Sequence, residues 1–290
     1  MKYLFIVNPI SGGKSKEAIL RQIEKGMDSC HPWEIVRTER PGHATELARE
    51  ADADVIVAVG GDGTVSEVAQ GLIGSEKALG IIPCGSGDGL ALHLGISRNP
   101  SKAVCQLQDG TVETMDYAKV NGKPFFCTTG VGLDAEVAWQ FAQSGKRGLW
   151  TYISLAWKIW QNYRPDTYTI DVDGQVTTAP AVIVTVGNCN QWGNQARITP
   201  LASVQDGLLN VSVVKVFHTW EIPVLAAKLM DGRAYTSRRV QHFEGRHVIV
   251  RRTQPGPAHF DGDPFQAGTE LDVEVIPAAL RVVVPQGKKV

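Results

Sequence analysis

Twice in the N-terminal third, a short apolar run passes directly into a glycine-rich loop and then into a helical pattern. Val55–Val59 leads into Gly60-Gly61-Asp62-Gly63-Thr64, and Leu79–Ile82 leads, two residues on, into Gly85-Ser86-Gly87-Asp88-Gly89. A strand, a tight loop and a helix in that order build a parallel sheet with crossover helices. The flanking sequence keeps the same rhythm. Tyr3–Val7 reads as a buried strand, and Glu17, Ala18, Leu20, Ile23 and Met27 recur near the helical period. Glu34–Thr38 reads as a second strand and Ala44–Ala51 as a second helix. The first 112 residues are therefore expected to form an open α/β domain, with ligands bound at the carboxyl ends of its strands.

From about Glu113 the pattern changes to alternating runs broken by turn signals. Tyr117–Val120 precedes Asn121-Gly122, Pro124–Thr129 follows, and Tyr168–Val172 precedes Asp173-Gly174. Ala181–Val186, Leu208–Val216, His247–Arg251 and Leu271–Ile276 read the same way, which predicts a β-sandwich over 113–279. The tail, 280–290, carries the run Leu280–Val284 and is expected to return to the first domain. Two domains suit a chain of 290 residues. With 29 basic and 30 acidic side chains, a nucleic-acid binder held by bulk charge is excluded. No apolar run approaches the length of a spanning helix, and Tyr3–Val7 meets Asn8-Pro9 too soon for a signal peptide. A cytoplasmic location is expected. Five widely spaced cysteines without a CxxC pair predict buried free thiols rather than a disulfide frame or a zinc site.

Glycines in the loop 60–64 permit close approach of a phosphate to backbone N–H groups at a helix N-terminus. Asp62 changes the reading. A carboxylate repels phosphate unless it holds Mg²⁺ or accepts a proton from an attacking hydroxyl, so its presence there points to catalysis, against the plainer reading of a helix cap. The loop Gly85-Ser86-Gly87-Asp88-Gly89 repeats the theme and is also open to reading as a simple turn. Asn8–Ser15 ends like a Walker A loop but has Asn8 where that pattern needs glycine. No complete dinucleotide fingerprint, HExxH pair or serine elbow is present.

Together these residues resemble the catalytic domain shared by diacylglycerol, sphingosine and ceramide kinases, itself distantly similar to NAD kinases. Asn8, Pro9, Ser11, Gly12 and Gly13 resemble that family's first nucleotide loop, and Thr38-Glu39 with Gly42-His43-Ala44 resembles its second segment. Gly60, Gly61, Gly63, Thr64 and Glu67 match its signature loop, with Asp62 as its aspartate; Gly85, Ser86, Gly87 and Asp88 match the second loop. Gly187-Asn188, Pro200 and Asp206-Gly207-Leu208-Leu209 resemble its sandwich segment, and Asp261-Gly262-Asp263 its late Asp-Gly-Glu, with Asp263 one methylene shorter than the usual glutamate. The resemblance implies ATP and Mg²⁺, with Asp62, Asp206 and Asp263 as metal-linked carboxylates, Gly262, Asp263 and Arg147 near the nucleotide, and Lys146 beside Arg147. Asp62 is the first candidate for proton acceptor and Asp261 the second. Glu136, or Asp134 if the register slips by two, lies where sphingosine kinases place the residue that meets the lipid's amino group; both also read as ordinary strand-end carboxylates.

The expected function is ATP-dependent phosphorylation of the primary hydroxyl of a membrane lipid, with a sphingoid base favoured over diacylglycerol. An NAD kinase-like activity on a soluble substrate and a non-catalytic nucleotide- or lipid-binding role are the alternatives. Trp139, Trp150, Trp157 and Trp160 crowd one stretch, where Leu149, Tyr152, Ile153, Ala156, Ile159, Trp160 and Tyr163 recur at helical spacing. Such a helix either meets acyl chains or a membrane, or is buried against the sandwich. Between Lys228 and Arg252, seven basic residues face two acidic ones, as expected of a surface for an anionic bilayer, a solvated face or a homodimer contact.

Overall fold

The computed structural model describes residues 1–11, 16–28, 30–145 and 149–287. The chain divides into two compact units, one of Met1–Asp116 with Pro277–Val290 and one of Tyr117–Ile276. The divisions fall inside two long strands, Thr111–Val120 and Glu270–Val284.

In the first unit the chain runs β1 (Tyr3–Val7), α1 (Lys16–Gly26), β2 (Trp33–Arg37), α2 (His43–Glu50), β3 (Val55–Gly60), α3 (Asp62–Leu72) and β4 (Ala78–Pro83), then the short α4 (Gly89–His93) and α5 (Pro100–Gln108). The strands pair in parallel in the order β2-β1-β3-β4. Because β1, β3 and β4 are covered on both faces, they read as unbroken apolar runs, and every residue in them is buried. Phe5, Ile6, Ile23, Ile56, Leu72, Leu79 and Ile82 form the centre of the core. α5 starts at an Asn99 cap whose side chain accepts the Ser101 and Lys102 N–H groups, with Pro100 at the first helical position.

The second unit continues through β5 (Thr111–Val120), β6 (Lys123–Phe125), β7 (Thr128–Gly132), α6 (Leu133–Gln143), α7 (Leu149–Trp160), β8 (Asp166–Val172), β9 (Gln175–Gly187) and β10 (Leu209–Lys215). A 3-10 turn at Thr219–Glu221 leads into α8 (Ile222–Met230), followed by β11 (Val240–Gly245), β12 (His247–Arg251), β13 (Gly256–Phe260), β14 (Asp263–Ala267) and β15 (Glu270–Val284). Pairing is antiparallel. β9 pairs first with β8 and then, along its second half, with β7 and β10, as a strand does at the corner of a sandwich. Phe125, Val131, Tyr168, Ile170, Val184, Val211, Val248 and Val273 fill the core between its layers. At its far end β15 belongs to the first unit, where Arg281 and Val282 pair in parallel with Ala78 and Leu79.

Three hairpins share one turn chemistry. Asn121-Gly122, Asp173-Gly174 and Asp261-Gly262 each place both residues at positive φ, which a two-residue turn between twisted strands requires. The run read as one strand, Pro124–Thr129, divides into β6 and β7, and β11, β13 and β14 were not anticipated. Glu136 and Asp134 lie in the first turn of a helix, α6, not at a strand end. The five cysteines are free, but Cys30 and Cys105 are exposed rather than buried.

Candidate active site

In the first unit, every candidate loop leaves the carboxyl edge of the parallel sheet. Asn8 follows β1, Thr38 follows β2, Gly60-Gly61 ends β3, and Gly85 follows β4. β1 lies between β2 and β3, so the chain reverses its direction of winding there. Ligands of open α/β sheets bind at such a point. The Asn8 Nδ2 group donates to Thr64 Oγ1 at 3.1 Å across it, and Asn8 Oδ1 accepts the Ile10 N–H. Thr38 is joined to the end of β1 through its N–H, which donates to the Val7 carbonyl. Glu67 lies one turn into α3 and accepts the N–H groups of Gly42 and Ala44, so it ties α3 to the start of α2.

The two glycine loops touch where neither carries a side chain. A methyl group on Gly85 would lie 2.7 Å from the Gly61 Cα, and one on Gly61 would lie 3.1 Å from the Gly85 Cα. Through this gap Asp62 reaches the second loop. Its Oδ2 accepts the Asp88 N–H at 2.9 Å and its Oδ1 the Gly89 N–H at 2.7 Å. Burial pushes the Asp62 carboxyl above its ordinary range, and these backbone N–H groups offset part of that rise. Gly63 differs from its neighbours. Nothing lies within 4 Å of where its Cβ would be and its φ is not positive, so the fold itself places no demand for glycine there.

Asp88 sits in the left-handed region at φ 52, which aspartate tolerates better than most residues. Its buried carboxylate accepts the Gly85 N–H at 2.8 Å and meets Arg98 Nε at 3.1 Å. Arg98 Nη2 also donates to the Ser86 and Gly87 carbonyls, closing the loop from outside. Sequence reasoning missed Arg98, because nothing in the spacing of 86–98 announces an ion pair made by the fold.

Burial, and then the neighbouring charge of Asp62, push the Asp88 carboxyl up from 3.8 to about 6. A folded-state pKa above the unfolded one means that this group supports the fold fully in acid. That contribution is lost as the pH rises through about 6. Asp88→Asn keeps the left-handed preference and an acceptor for Gly85, so its melting temperature is expected to vary less than the parent's between pH 5 and 7. Thermal scans at a series of pH values check this; parallel curves for the two proteins would remove Asp88 as the source.

In the second unit, Asp261 opens the β13–β14 turn, and both its oxygens are engaged. Oδ2 accepts the Phe126 N–H at 2.9 Å, while Oδ1 accepts those of Cys127 at 2.7 Å and Thr128 at 3.2 Å. From the other side, Asn188 Nδ2 donates to the Phe126 carbonyl. Residues 126–128 are thus fastened by two of the sequence-selected segments. Gly262 completes the turn and Asp263, exposed, begins β14. Asp206 Oδ1 accepts the Leu208 N–H at 2.9 Å. Among the described residues, no group of three or more His, Cys, Asp or Glu side chains is placed to hold a metal ion.

The two acidic residues of α6 part company. Asp134 is buried and its Oδ2 meets His259 Nε2 at 3.0 Å, a pair that the sequence did not suggest across 125 residues. Glu136 is half-buried and accepts the Gln140 side-chain amide on its own helix. The basic run 228–252 does not form one patch. Arg251 pairs with Glu270, Arg252 donates to four backbone carbonyls around β13, and Arg239 pairs with Glu221. Gly12, Gly13, Lys146 and Arg147 lie outside the described residues. No helix among the described residues is long and apolar enough to cross a membrane.

A switch-point cradle on a parallel sheet is followed along the chain by an antiparallel sandwich. The family model of the diacylglycerol kinase catalytic domain matches residues 2–120, and that of the YegS C-terminal NAD kinase beta sandwich-like domain matches 127–284, more than half the chain. The chain belongs to the diacylglycerol kinase catalytic-domain family and is a lipid kinase. It is 26% identical to a diacylglycerol kinase of Bacillus subtilis over 89% of this chain and 88% of the relative. A solved structure from Bacillus anthracis assigned to the diacylglycerol kinases matches with a TM-score of 0.81 and 26% identity, covering 98% of this chain and 97% of the other. An NAD kinase from Archaeoglobus fulgidus in complex with ATP shares the fold at a TM-score of 0.56 and 13% identity, over 99% of this chain and 94% of the other.

Proposed function

We propose that the chain transfers the γ-phosphate of ATP to the primary hydroxyl of a membrane glycerolipid of the diacylglycerol type, with Asp62 accepting the hydroxyl proton. The supporting observation is the Asp62 crosslink. It holds two glycine loops side by side at the sheet's carboxyl edge and orients a carboxylate between them. Each carboxylate oxygen has two acceptor positions; the Asp88 and Gly89 N–H groups take one on each and the N–H of Asp62 itself takes another, so one is left to receive a hydroxyl. The raised Asp62 pKa moves the group toward that of an effective base near neutral pH. The open side of Gly63 suits a phosphate approaching the first turn of α3.

Mg²⁺ bound with nucleotide phosphates usually takes only one or two protein carboxylates, so the absence of a three-residue cluster among the described residues is compatible with it. Asp62, Asp206 and Asp263 are the carboxylates that the family resemblance assigns to Mg²⁺, which would supply neutralising charge for the transferring phosphoryl group. The sphingoid-base reading rests on Glu136 alone, since Asp134 is occupied by His259. A neutral acceptor needs no such charge, and the similarity to diacylglycerol kinases weighs toward diacylglycerol.

Transfer of labelled phosphate from ATP·Mg²⁺ to diacylglycerol, sphingosine, ceramide, phosphatidylglycerol and NAD in mixed micelles tests the proposal. Labelling of diacylglycerol is expected. Labelling of sphingosine with loss of that activity in Glu136→Gln would replace the acceptor, labelling of NAD alone would replace the class, and ATP binding with no transfer to any acceptor would favour a non-catalytic role.

A further inference from the structure

Several of the most exposed large apolar side chains of the second unit lie on α7 and on the segment 219–230. α8 has eight apolar residues in nine, and none of them is buried. The 3-10 turn that leads into it carries Trp220, 75% exposed, and Val224 and Met230 are also exposed. On α7, Trp150, Ile153 and Trp157 follow the i, i+3, i+7 spacing of a single helical stripe, and Trp150 is 82% exposed. Tyr152, Ala156 and Ile159 take the opposite, inward face.

The two helices are joined. Trp160, at the end of α7, stacks on Phe217 with ring centroids 4.8 Å apart, and its Nε1 donates to Thr219 Oγ1 in the turn that begins α8. Trp160 thus ties the end of α7 to the turn that begins α8, and both elements carry exposed tryptophan and aliphatic side chains. Soluble chains rarely leave such a region uncovered, and tryptophan favours the boundary between water and hydrocarbon.

The charged residue on each of the two helices is basic, Lys158 on α7 and Lys228 on α8. Glu221 is held by Arg239 and Asp231 by Arg233, so the segment's acidic residues are neutralised. Lys158 on α7, Lys228 in the last turn of α8 and the exposed Arg238 add positive charge. This argues against a second copy as the occupant, because a two-fold contact would set the same basic residues against themselves. An anionic lipid surface complements both the apolar face and its rim.

We propose that α7 and the Thr219–Met230 segment form a single docking face that inserts its tryptophans into the boundary layer of an anionic bilayer. This deepens the lipid-kinase reading by assigning the surface through which a membrane-resident acceptor is reached, and it rests on that reading only for its purpose. The test is flotation with vesicles of phosphatidylcholine, with and without about a third phosphatidylglycerol, for the parent, Trp150→Ser/Trp220→Ser and Lys158→Glu/Arg238→Glu. Both altered pairs are exposed, so the fold is expected to survive, and circular dichroism verifies it.

The tryptophan variant is expected to lose about tenfold or more in partitioning to both kinds of vesicle. The charge variant should lose affinity only for anionic vesicles, and high salt should reproduce its defect in the parent. Phosphorylation of a short-chain diacylglycerol in detergent micelles should stay within about twofold of the parent for both, since neither pair lies in the loops proposed for catalysis. Vesicle binding that persists without any kinase activity would support the docking face while sinking the proposed function. Activity with no vesicle binding, or with binding unchanged in the tryptophan variant, would overturn the face. So would a dimer, seen by ultracentrifugation, that the tryptophan variant dissolves while vesicles remain unbound.

Discussion

Replacing Asp62 by asparagine is expected to lower the turnover number by about 10²–10⁴-fold, the usual worth of a positioned proton acceptor. Two effects combine. The amide cannot take the hydroxyl proton, and its NH₂ must face one of the Asp88 and Gly89 N–H donors that the carboxylate receives on separate oxygens. The second effect is structural, on the order of 1–3 kcal/mol for a donor left without a partner. It will appear as a lower melting temperature. The chemical role is separable by its pH dependence. Asp62 must be ionised to accept a proton, so the parent's kcat should fall as the pH drops through a pKa raised above the ordinary aspartate range by burial. In Asp62→Asn the residual activity should lack that acid limb. Turnover close to the parent's, with only the melting temperature reduced, would leave Asp62 as a crosslink between loops and remove it from the chemistry.

The legible parts of the fold are those where a single local period governs. β1, β3 and β4 are apolar throughout because both their faces are covered, and α1 repeats its apolar positions at helical spacing, so their extents could be read to within a residue or two. β13 and β14 were hidden by Pro257 and Pro264, which interrupt the runs, although Asp261-Gly262 is the same turn signal that was recognised at Asn121-Gly122 and Asp173-Gly174. Asn99 and Pro100 are the cap and first-position residues of α5, a helix that the sequence reading did not include.

Chemistry followed the same division. Glycine-rich loops after strands are local signals, so Asp62 and Asp88 could be selected from sequence. What those carboxylates touch is set by chain crossings, and neither Arg98 beside Asp88 nor His259 beside Asp134 has a sequence signature. The sequence also left α7 open to either burial or exposure. Its two faces do both, with Ile159 buried and Trp150 in solvent, because a helix that is apolar nearly all round does not reveal which side its neighbours cover.

Asp261→Ala is expected to be the most destabilising of the single changes considered, by about 3–5 kcal/mol. The N–H groups of Phe126, Cys127 and Thr128 would lose their acceptor in a segment where all three residues are buried. Alanine would also occupy the left-handed conformation that Asp261 adopts at φ 49, at a further cost of about 1–2 kcal/mol. In a domain of this size the combined loss should lower the melting temperature by about 10 °C. A short series separates the contributions. Asp261→Gly removes the acceptors but accepts the backbone, so it should be more stable than alanine by about 1 kcal/mol. Asp261→Asn keeps the turn preference and one oxygen and should be the mildest. Kinase activity should follow the folded fraction across the series, because in this geometry the carboxylate acts by fastening 126–128 to the β13–β14 turn. An alanine variant that melts within about 2 °C of the parent yet transfers no phosphate would reverse the assignment and return Asp261 to the reacting atoms.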